Sequence, residues 1–349
     1  MSNVNYYLVT LVFFGAVNGL QAIGLDMQFG QAGIFNFAYI VLVAVGAYAT
    51  GIASIHPAGH SGLGALTYIG GFGWAFPWNM LFGVLATVVF AFILTSIAFR
   101  RLRHDYLALT LVTIGSALLL LITNQVNIFN GETGIVGVPG PWQSQLSSSA
   151  WYITMGGLAL FILAVNAYIF WRIQRAPLGR LFKALREDEI LVASLGKNPA
   201  RVKMTAFLLG AVSAGLAGSL FVLFIGGWGV GGWQPGETFV LFAAVLLGGR
   251  GRLTGALLGA FVLYEVFLQG SSLLNIPLAP GILPAVQQLF VGIVLLVVLW
   301  LRPAGLLPEH KEKFPGAAAT SRGSKRRRIA RQPRPALGNM NSAKELSVE

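Results

Sequence analysis

Residues 199–225 read PARVKMTAFLLGAVSAGLAGSLFVLFI, and this stretch has no charged side chain after Lys203. An α-helix rises 1.5 Å per residue, so about 20 apolar residues cross the hydrocarbon core of a bilayer. The stretch is long enough to do so. Its many Gly and Ala residues also favour close packing of helices in lipid. Residues 199–225 therefore predict a transmembrane helix.

The composition extends this prediction to the whole chain. The 349 residues are 55% hydrophobic and 10% charged, whereas a soluble domain carries about 25% charged residues. The short alternating segments typical of an outer-membrane barrel are absent, which indicates helical spans. The chain has no cysteine, which excludes disulfides and thiolate metal sites. We predict an all-α polytopic membrane protein.

Apolar segments divide the body of the chain into about eight or nine transmembrane segments. The first follows no basic region and is interpreted as a retained span rather than a signal peptide. The predicted spans are 6–24, 32–54, 77–99, 105–124, 151–171, 199–225, 237–249, 253–270 and 281–301.

The segment 237–249 is too short to span alone, because about 13 residues make roughly 20 Å of helix. It follows the glycine-rich stretch GGWGVGGWQPG at 226–236. A broken or re-entrant helix here would border a substrate path. A short helix in a tilted setting is the other interpretation.

Basic residues predict the topology. Those of residues 1–303 cluster at 100–103, 172–203, 250–252 and 302, while the loops 55–76, 125–150, 226–236 and 271–280 contain none. Alternating spans place every cluster on one side, which is cytoplasmic by the positive-inside rule. The N-terminus is then outside and the C-terminus cytoplasmic.

Residues 304–349 form a separate basic tail, rich in Pro, Gly, Ser and Arg. Its composition predicts a disordered cytoplasmic segment beside the transmembrane domain 1–303. Its basic residues fit contact with anionic lipid better than binding to nucleic acid.

Residues 172–203 form the longest charged loop between spans. Pro177 and Gly179 are expected to end the preceding span. An amphipathic helix follows, and Asp188 is the expected N-cap of a second helix over about 189–195, with Gly196 at its C′ position. Asn198 and Pro199 suit N-cap and N1 of the next span. Such helices either dock a soluble partner or lie in the membrane interface.

Several blocks of the chain resemble, in order, the permease subunits of branched-chain amino acid ABC transporters, and more closely the second permease type of such systems. The blocks are GLDMQFGQAGIFNFAYIVLVAVGAYATG (24–51), NGETGIVGVP (130–139), the loop and span 175–225, LLGGRGRLTGALLGA (246–260) and LRPAGL (301–306). The resemblance implies a bacterial inner-membrane importer with four kinds of component. A second homologous permease would pair with this chain, two cytoplasmic ATPases would dock on the loop, and an extracytoplasmic binding protein would deliver the solute.

The resemblance also implies which residues contact the ATPases. The coupling segment would be Gly179–Gly196, and its named residues are Gly179, Arg180, Arg186, Glu187, Asp188, Glu189 and Gly196. The chain has no GxxxxGK[ST] phosphate-binding loop. ATP and Mg²⁺ would therefore be used by the partner ATPases, and this chain is expected to bind no cofactor and to be non-catalytic.

The chain offers few polar residues for the solute. Glu265 lies inside an apolar span, where an ionisable group indicates either a functional site or a hydrogen bond to a neighbouring helix. Gly30, Gly33 and Asn36 lie in a glycine-rich block where backbone could face a zwitterion. Amides in the first spans, such as Asn18 and Gln21, are more often packing contacts.

The sequence allows two classes of transported solute. One is hydrophobic amino acids, and the other is urea, short amides or another small polar compound. An ion-coupled transporter would need more ionisable groups in its spans, and a membrane enzyme would need an acid–base set that is absent. His56 and His60 share a Pro- and Gly-containing loop, HPAGH, which predicts no metal site.

Overall fold

A computed structural model of the chain describes residues 3–56, 71–101, 104–125, 130–270, 282–301 and 305–307. The prediction of a helical membrane protein is confirmed. Helices α1 and α10 continue as π-helical segments, Asp26–Gln31 and Phe261–Gln269. The helices are α1 Asn3–Leu25, α2 Tyr39–Ser54, α3 Trp78–Arg101, α4 His104–Asn124, α5 Ser148–Arg175, α6 Pro177–Glu187, α7 Glu189–Ser194, α8 Pro199–Ile225, α9 Pro235–Gly248, α10 Leu253–Ala260 and α11 Ile282–Leu301.

Within the described residues, five helical stretches are long and apolar enough to cross a membrane. They are Tyr6–Gln31, Trp78–Phe99, Ser148–Arg175, Pro199–Ile225 and Val230–Gly248. Three shorter apolar helices accompany them, Tyr39–Ser54, Ala108–Asn124 and Leu253–Gln269. The chain is therefore a multi-pass membrane protein.

Helix α8 packs against α2 and α3 through glycines. A Cβ at Gly218 would overlap the backbone carbonyl of Val43, and one at Gly46 would lie 2.8 Å from the Cα of Gly215. The hydroxyls of Thr50 and Ser219 share a buried 2.7 Å hydrogen bond across the α2–α8 contact. Small residues thus bring the backbones together, as expected for helices that have no hydrophobic driving force in lipid.

The regular α-helix is interrupted between α1 and α2, over residues 26–38, and we name this segment the break. The prediction of a helix from residue 32 is wrong at its start, because helical geometry resumes only at Tyr39. Gly33 has φ +73°, which favours glycine and ends the π-helical segment. The side chain of Asn36 then accepts a hydrogen bond from the Ala38 N–H and donates one to Gln28 Oε1. Side-chain hydrogen bonds therefore satisfy polar groups that the break leaves without helical partners.

At one end of the bundle, loops that lack basic residues contact one another. Strand β1 (Ile135–Val136) pairs antiparallel with β2 (Gly227–Trp228). The ring of Phe76 packs 5.1 Å from that of Trp142, centroid to centroid. The grouping of these loops at one end agrees with the predicted topology.

The opposite end carries the basic loops. There Leu306 and Leu307 donate backbone hydrogen bonds to the carbonyls of Leu247 and Gly248, at the end of α9. Residues 305–307 are the described part of the predicted tail 304–349. The rest of that tail, like His60, lies outside the described residues.

Candidate functional site

A cavity of about 380 Å³ opens among α1, α2, α8, α9, the π-helical segment after α10, and α11. Its volume falls within the range of about 300–1,000 Å³ that is typical of small-molecule sites. Its lining includes both apolar and polar side chains. Its lining residues are Phe14, Asn18, Gln21, Ile40, Val43, Phe221, Trp228, Gly232, Glu237, Tyr264, Leu268, Gln269 and Gln287.

The cavity has one acidic side chain among its described lining residues. This residue is Glu237, and none of the described lining residues is Lys or Arg. Glu237 lies in the first turn of α9 and is exposed. The short apolar segment predicted at 237–249 is this helix, and it begins after the short 3₁₀-helix Val230–Gly232. The hydroxyl of Thr238, the next residue, accepts a 3.3 Å hydrogen bond from the Ile40 N–H at the start of α2. The N-terminal ends of α9 and α2 therefore meet beside the cavity.

Glu265 lies behind this cavity and orients one of its lining residues. Its Oε1 accepts a 3.0 Å hydrogen bond from Asn18 Nδ2 on α1. Glu265 is 2% exposed. Because the amide NH₂ of Asn18 is held by a carboxylate, the amide oxygen is the atom that Asn18 has left to present elsewhere. The interhelical hydrogen bond that the sequence left as one of two interpretations is thus present.

Two buried polar atoms near the cavity lack hydrogen-bond partners within the described residues. They are Trp228 Nε1 and Glu265 Oε2. Trp228 is 5% exposed and lines the cavity. A buried N–H without a hydrogen-bond partner costs free energy, and such a group marks a place where a ligand or water can supply the missing acceptor.

Gly30, Gly33 and Asn36 do not line this cavity. They lie in the break between α1 and α2, where Asn36 is fully buried and bonded within the protein. The backbone of Gly251 lies so close that a Cβ at Gly30 would be 2.5 Å from its nitrogen. Of the four predicted substrate-path residues, only Glu265 lies next to the cavity, and a role in the solute path stays a prediction for all of them.

The charged loop has the predicted two-helix form. Asp188 Oδ1 caps α7 by accepting the Ile190 N–H at 2.8 Å, and Gly196 has φ +72°. Asn198 caps α8 by accepting two backbone N–H groups, with Pro199 at N1. These capping predictions are confirmed.

One local prediction about the loop is wrong. Gly179 does not end the preceding span, because α5 ends at Arg175 and Pro177 is the first residue of α6. Gly179 lies inside α6, where a Cβ would overlap the backbone of Gln174. The small residue permits the sharp turn from α5 into α6.

The two loop helices differ in exposure. Helix α6 buries Phe182 and Leu185 against the bundle. Helix α7 instead presents Ile190, which is 77% exposed, together with Leu191 and Leu195. We name Ile190, Leu191 and Leu195 the apolar tip.

Other charges of the predicted coupling segment also lie on the surface or pair with α8. Arg180, Glu187 and Asp188 are exposed. Glu189 forms an ion pair with Lys203 on α8. The loop thus offers a surface of mixed charge beside an apolar centre.

Arg186 joins the loop to the break between α1 and α2. Its guanidinium donates a hydrogen bond to the carbonyl of Gly30, and its Cγ would be 3.0 Å from a Cβ at Gly33. From the same break, Asp26 Oδ1 accepts the Gly251 N–H at 2.7 Å, and Gln31 Nε2 donates to the Gly251 carbonyl at 2.6 Å. A continuous set of hydrogen bonds therefore links α6, the break and the loop between α9 and α10.

Sequence comparison places this architecture in a family. The profile of the family described as branched-chain amino acid transport system, permease component, matches residues 7–299. The chain belongs to this family. It is a permease subunit of the ABC importer type, as the resemblance implied.

Individual relatives of the permease carry two different permease names, LivM and LivH. It is 28% identical to the high-affinity branched-chain amino acid transport system permease protein LivM of Escherichia coli K12, over 86% of this chain and 69% of that protein. The probable LivM of Methanocaldococcus jannaschii is 29% identical, over 88% of this chain and 94% of that protein. LivH of Escherichia coli K12 is 28% identical over 72% of this chain and 81% of that protein. No solved structure matches the permease significantly.

Sequence reasoning missed most of the cavity. Glu237 and Trp228 gave a signal, a carboxylate and an indole at the start of a short apolar segment, but nothing in the sequence joins them to Asn18. The sequence favours packing contacts for Asn18 and Gln21; the structure gives Asn18 such an interhelical hydrogen bond and also places both residues on the cavity wall.

Proposed function

We propose that this chain is the membrane-spanning subunit of an ATP-driven importer for branched-chain or other hydrophobic amino acids. The observation that carries the proposal is the two-helix loop, whose exposed apolar tip is joined through Arg186 to a break in the bundle. A soluble ATPase needs an exposed surface to bind and a structural connection from that surface into the membrane domain, and this loop has both. The names of the related permeases supply the solute class.

The partner ATPases would bind the apolar tip. Exposed Ile190, Leu191 and Leu195 on a short capped helix are typical of a helix that docks into a groove. The exposed charges Arg180 and Glu187 would then lie at the rim of that contact, where charge sets orientation more than affinity. ATP and Mg²⁺ would be held by those partners.

Movement of α6 would reach the spans through hydrogen bonds. Arg186 contacts Gly30, and Asp26 and Gln31 of the same segment contact Gly251. Backbone that leaves helical geometry inside a bundle is where a span can bend. A displacement of the loop would therefore act on α1 and on the loop before α10 together.

The assembly and its orientation follow the family pattern. A second permease of the same family would pair with this chain, and an extracytoplasmic binding protein would meet the end that carries the β1–β2 ribbon. The basic end would be cytoplasmic by the positive-inside rule, with the N-terminus outside and the C-terminus inside. Eight or nine segments would cross a bacterial inner membrane.

Reconstitution tests this function. This permease is placed in proteoliposomes with a second permease, ATPases and a binding protein from the same genome, and uptake of radiolabelled leucine is followed with and without ATP. We expect ATP-dependent accumulation. Charge reversal to Lys at Glu187, Asp188 and Glu189 together is expected to abolish it while the protein still inserts.

Other outcomes of the same assay would contradict the proposal. Leucine uptake that is driven by an ion gradient without ATPases would identify a secondary transporter. ATP-driven uptake of urea or a short amide, without uptake of leucine, would support the ATP-driven mechanism and contradict the proposed solute.

A further inference from the structure

We infer that the cavity beside α9 is the binding site for a zwitterionic amino acid, with its ammonium group at Glu237 and Asn18 and its carboxylate at the indole N–H of Trp228. The inference rests on the proposed function and adds the residues that recognise the solute. It starts from the cavity's volume of about 380 Å³ and its mixture of polar and apolar lining residues.

The ammonium group has two acceptors. Glu237 supplies the one carboxylate of the described lining. Asn18 supplies an amide oxygen, because its NH₂ group is held by Glu265 Oε1 at 3.0 Å. Glu265 does not line the cavity and acts as a positioning residue for Asn18.

The carboxylate group has a neutral donor. Trp228 is 5% exposed, lines the cavity and has an Nε1–H without a hydrogen-bond partner among the described residues. Because no Lys or Arg is among the described lining residues, the solute carboxylate would be met by neutral N–H groups. The solute carboxylate is therefore bound without an ion pair, which suits a site that must also release the solute.

The aliphatic side chain would contact the apolar lining residues. Ile40 and Val43 of α2 line the cavity with Phe221 of α8. The ring of Phe221 packs 5.3 Å from that of Trp228. An apolar side chain thus lies directly beside the indole that would bind the carboxylate.

Three ligands that differ in their charged groups test the ammonium and carboxylate contacts separately. Leucine carries both charged groups, 3-methylbutylamine lacks the carboxylate, and 4-methylpentanoate lacks the ammonium. Their binding is measured by equilibrium dialysis on the assembled permease–ATPase complex in lipid nanodiscs, with the binding protein left out. The variants are Trp228→Phe, which removes the N–H and keeps an aromatic ring, and Glu237→Gln.

Each variant is expected to affect a different pair of ligands. Trp228→Phe should weaken leucine and 4-methylpentanoate by about tenfold, the size expected for one lost hydrogen bond to a charged group, and leave 3-methylbutylamine unchanged. Glu237→Gln should weaken leucine and 3-methylbutylamine and should not weaken 4-methylpentanoate, which has no ammonium group. Trp233→Phe is the matched control, since Trp233 is a buried indole that does not line the cavity.

The failures are distinguishable. If the wild-type complex accumulates no leucine with ATP, the proposed function fails. If it accumulates leucine but does not bind it in dialysis, or if both variants affect all three ligands equally or none, the site is overturned and the importer function stands.

Discussion

The guanidinium of Arg186 donates a hydrogen bond to the backbone carbonyl of Gly30, which is 156 residues away in the chain. Arg186 belongs to the amphipathic helix α6, and Gly30 belongs to the π-helical segment that ends the first span. The contact therefore joins the charged loop to a break inside the bundle. It makes the loop part of the fold rather than a tether between spans.

Arg186→Ala should uncouple ATP hydrolysis from transport. Loss of the guanidinium leaves the Gly30 carbonyl without this donor and removes the contact of α6 with the break. We expect leucine uptake to fall at least about tenfold, as for loss of a hydrogen bond from a charged group, with ATPase subunits still bound. Uptake and ATP hydrolysis are measured in the same proteoliposomes. Lys197→Ala, at an exposed residue outside the coupling segment, serves as control, and equal uptake by both variants would remove Arg186 from the coupling path.

Ile190→Asp should release the ATPases. Ile190 is 77% exposed at the apolar tip, so the change costs the isolated permease little stability. A charge in the centre of an apolar contact is expected to weaken binding by about 2 kcal/mol or more, as at interface hot spots. Co-purification of the ATPases with the tagged permease measures this loss. Ile190→Met should retain them, and full retention by the Asp variant would show that the tip is not the docking surface.

Gly218→Ala should destabilise the bundle. The added Cβ would overlap the carbonyl of Val43 where α8 crosses α2, and overpacking of this kind costs about 1–3 kcal/mol. Thermal unfolding in detergent is the measurement. Gly157→Ala in α5 is the matched control, because a Cβ there meets nothing within 4 Å. Equal unfolding midpoints for the two variants would contradict the close α2–α8 approach.

Asn18 and Glu265 should be energetically coupled. In a double-mutant cycle with Asn18→Ala and Glu265→Ala, we expect an interaction of about 0.5–2 kcal/mol, the range for interhelical hydrogen bonds in membranes. Unfolding in mixed SDS–lipid micelles measures it. The Tyr6–Ser149 hydrogen bond between α1 and α5 provides a reference pair. Strict additivity would mean that Glu265 does not hold the Asn18 amide.

Local signals were enough to predict the loop helices and most spans. Asp188 and Asn198 cap their helices because their short side chains reach backbone N–H groups two residues further on, which depends only on nearby sequence. The break before Tyr39 escaped prediction for the opposite reason. Residues 32–38 are as apolar as a span, and the hydrogen bonds that end the helix there involve Gln28 and Phe207.

The sequence by itself determined the membrane class, the helical spans and the grouping of basic loops, because hydrophobic length and charge act locally and leave their record in each segment. Only the tertiary structure decided the cavity. Asn18, Trp228 and Glu237 lie on three separate elements, and their shared wall follows from how helices pack. The pairing of Arg186 with Gly30 is likewise a product of packing, since no local pattern brings together residues so far apart in the chain.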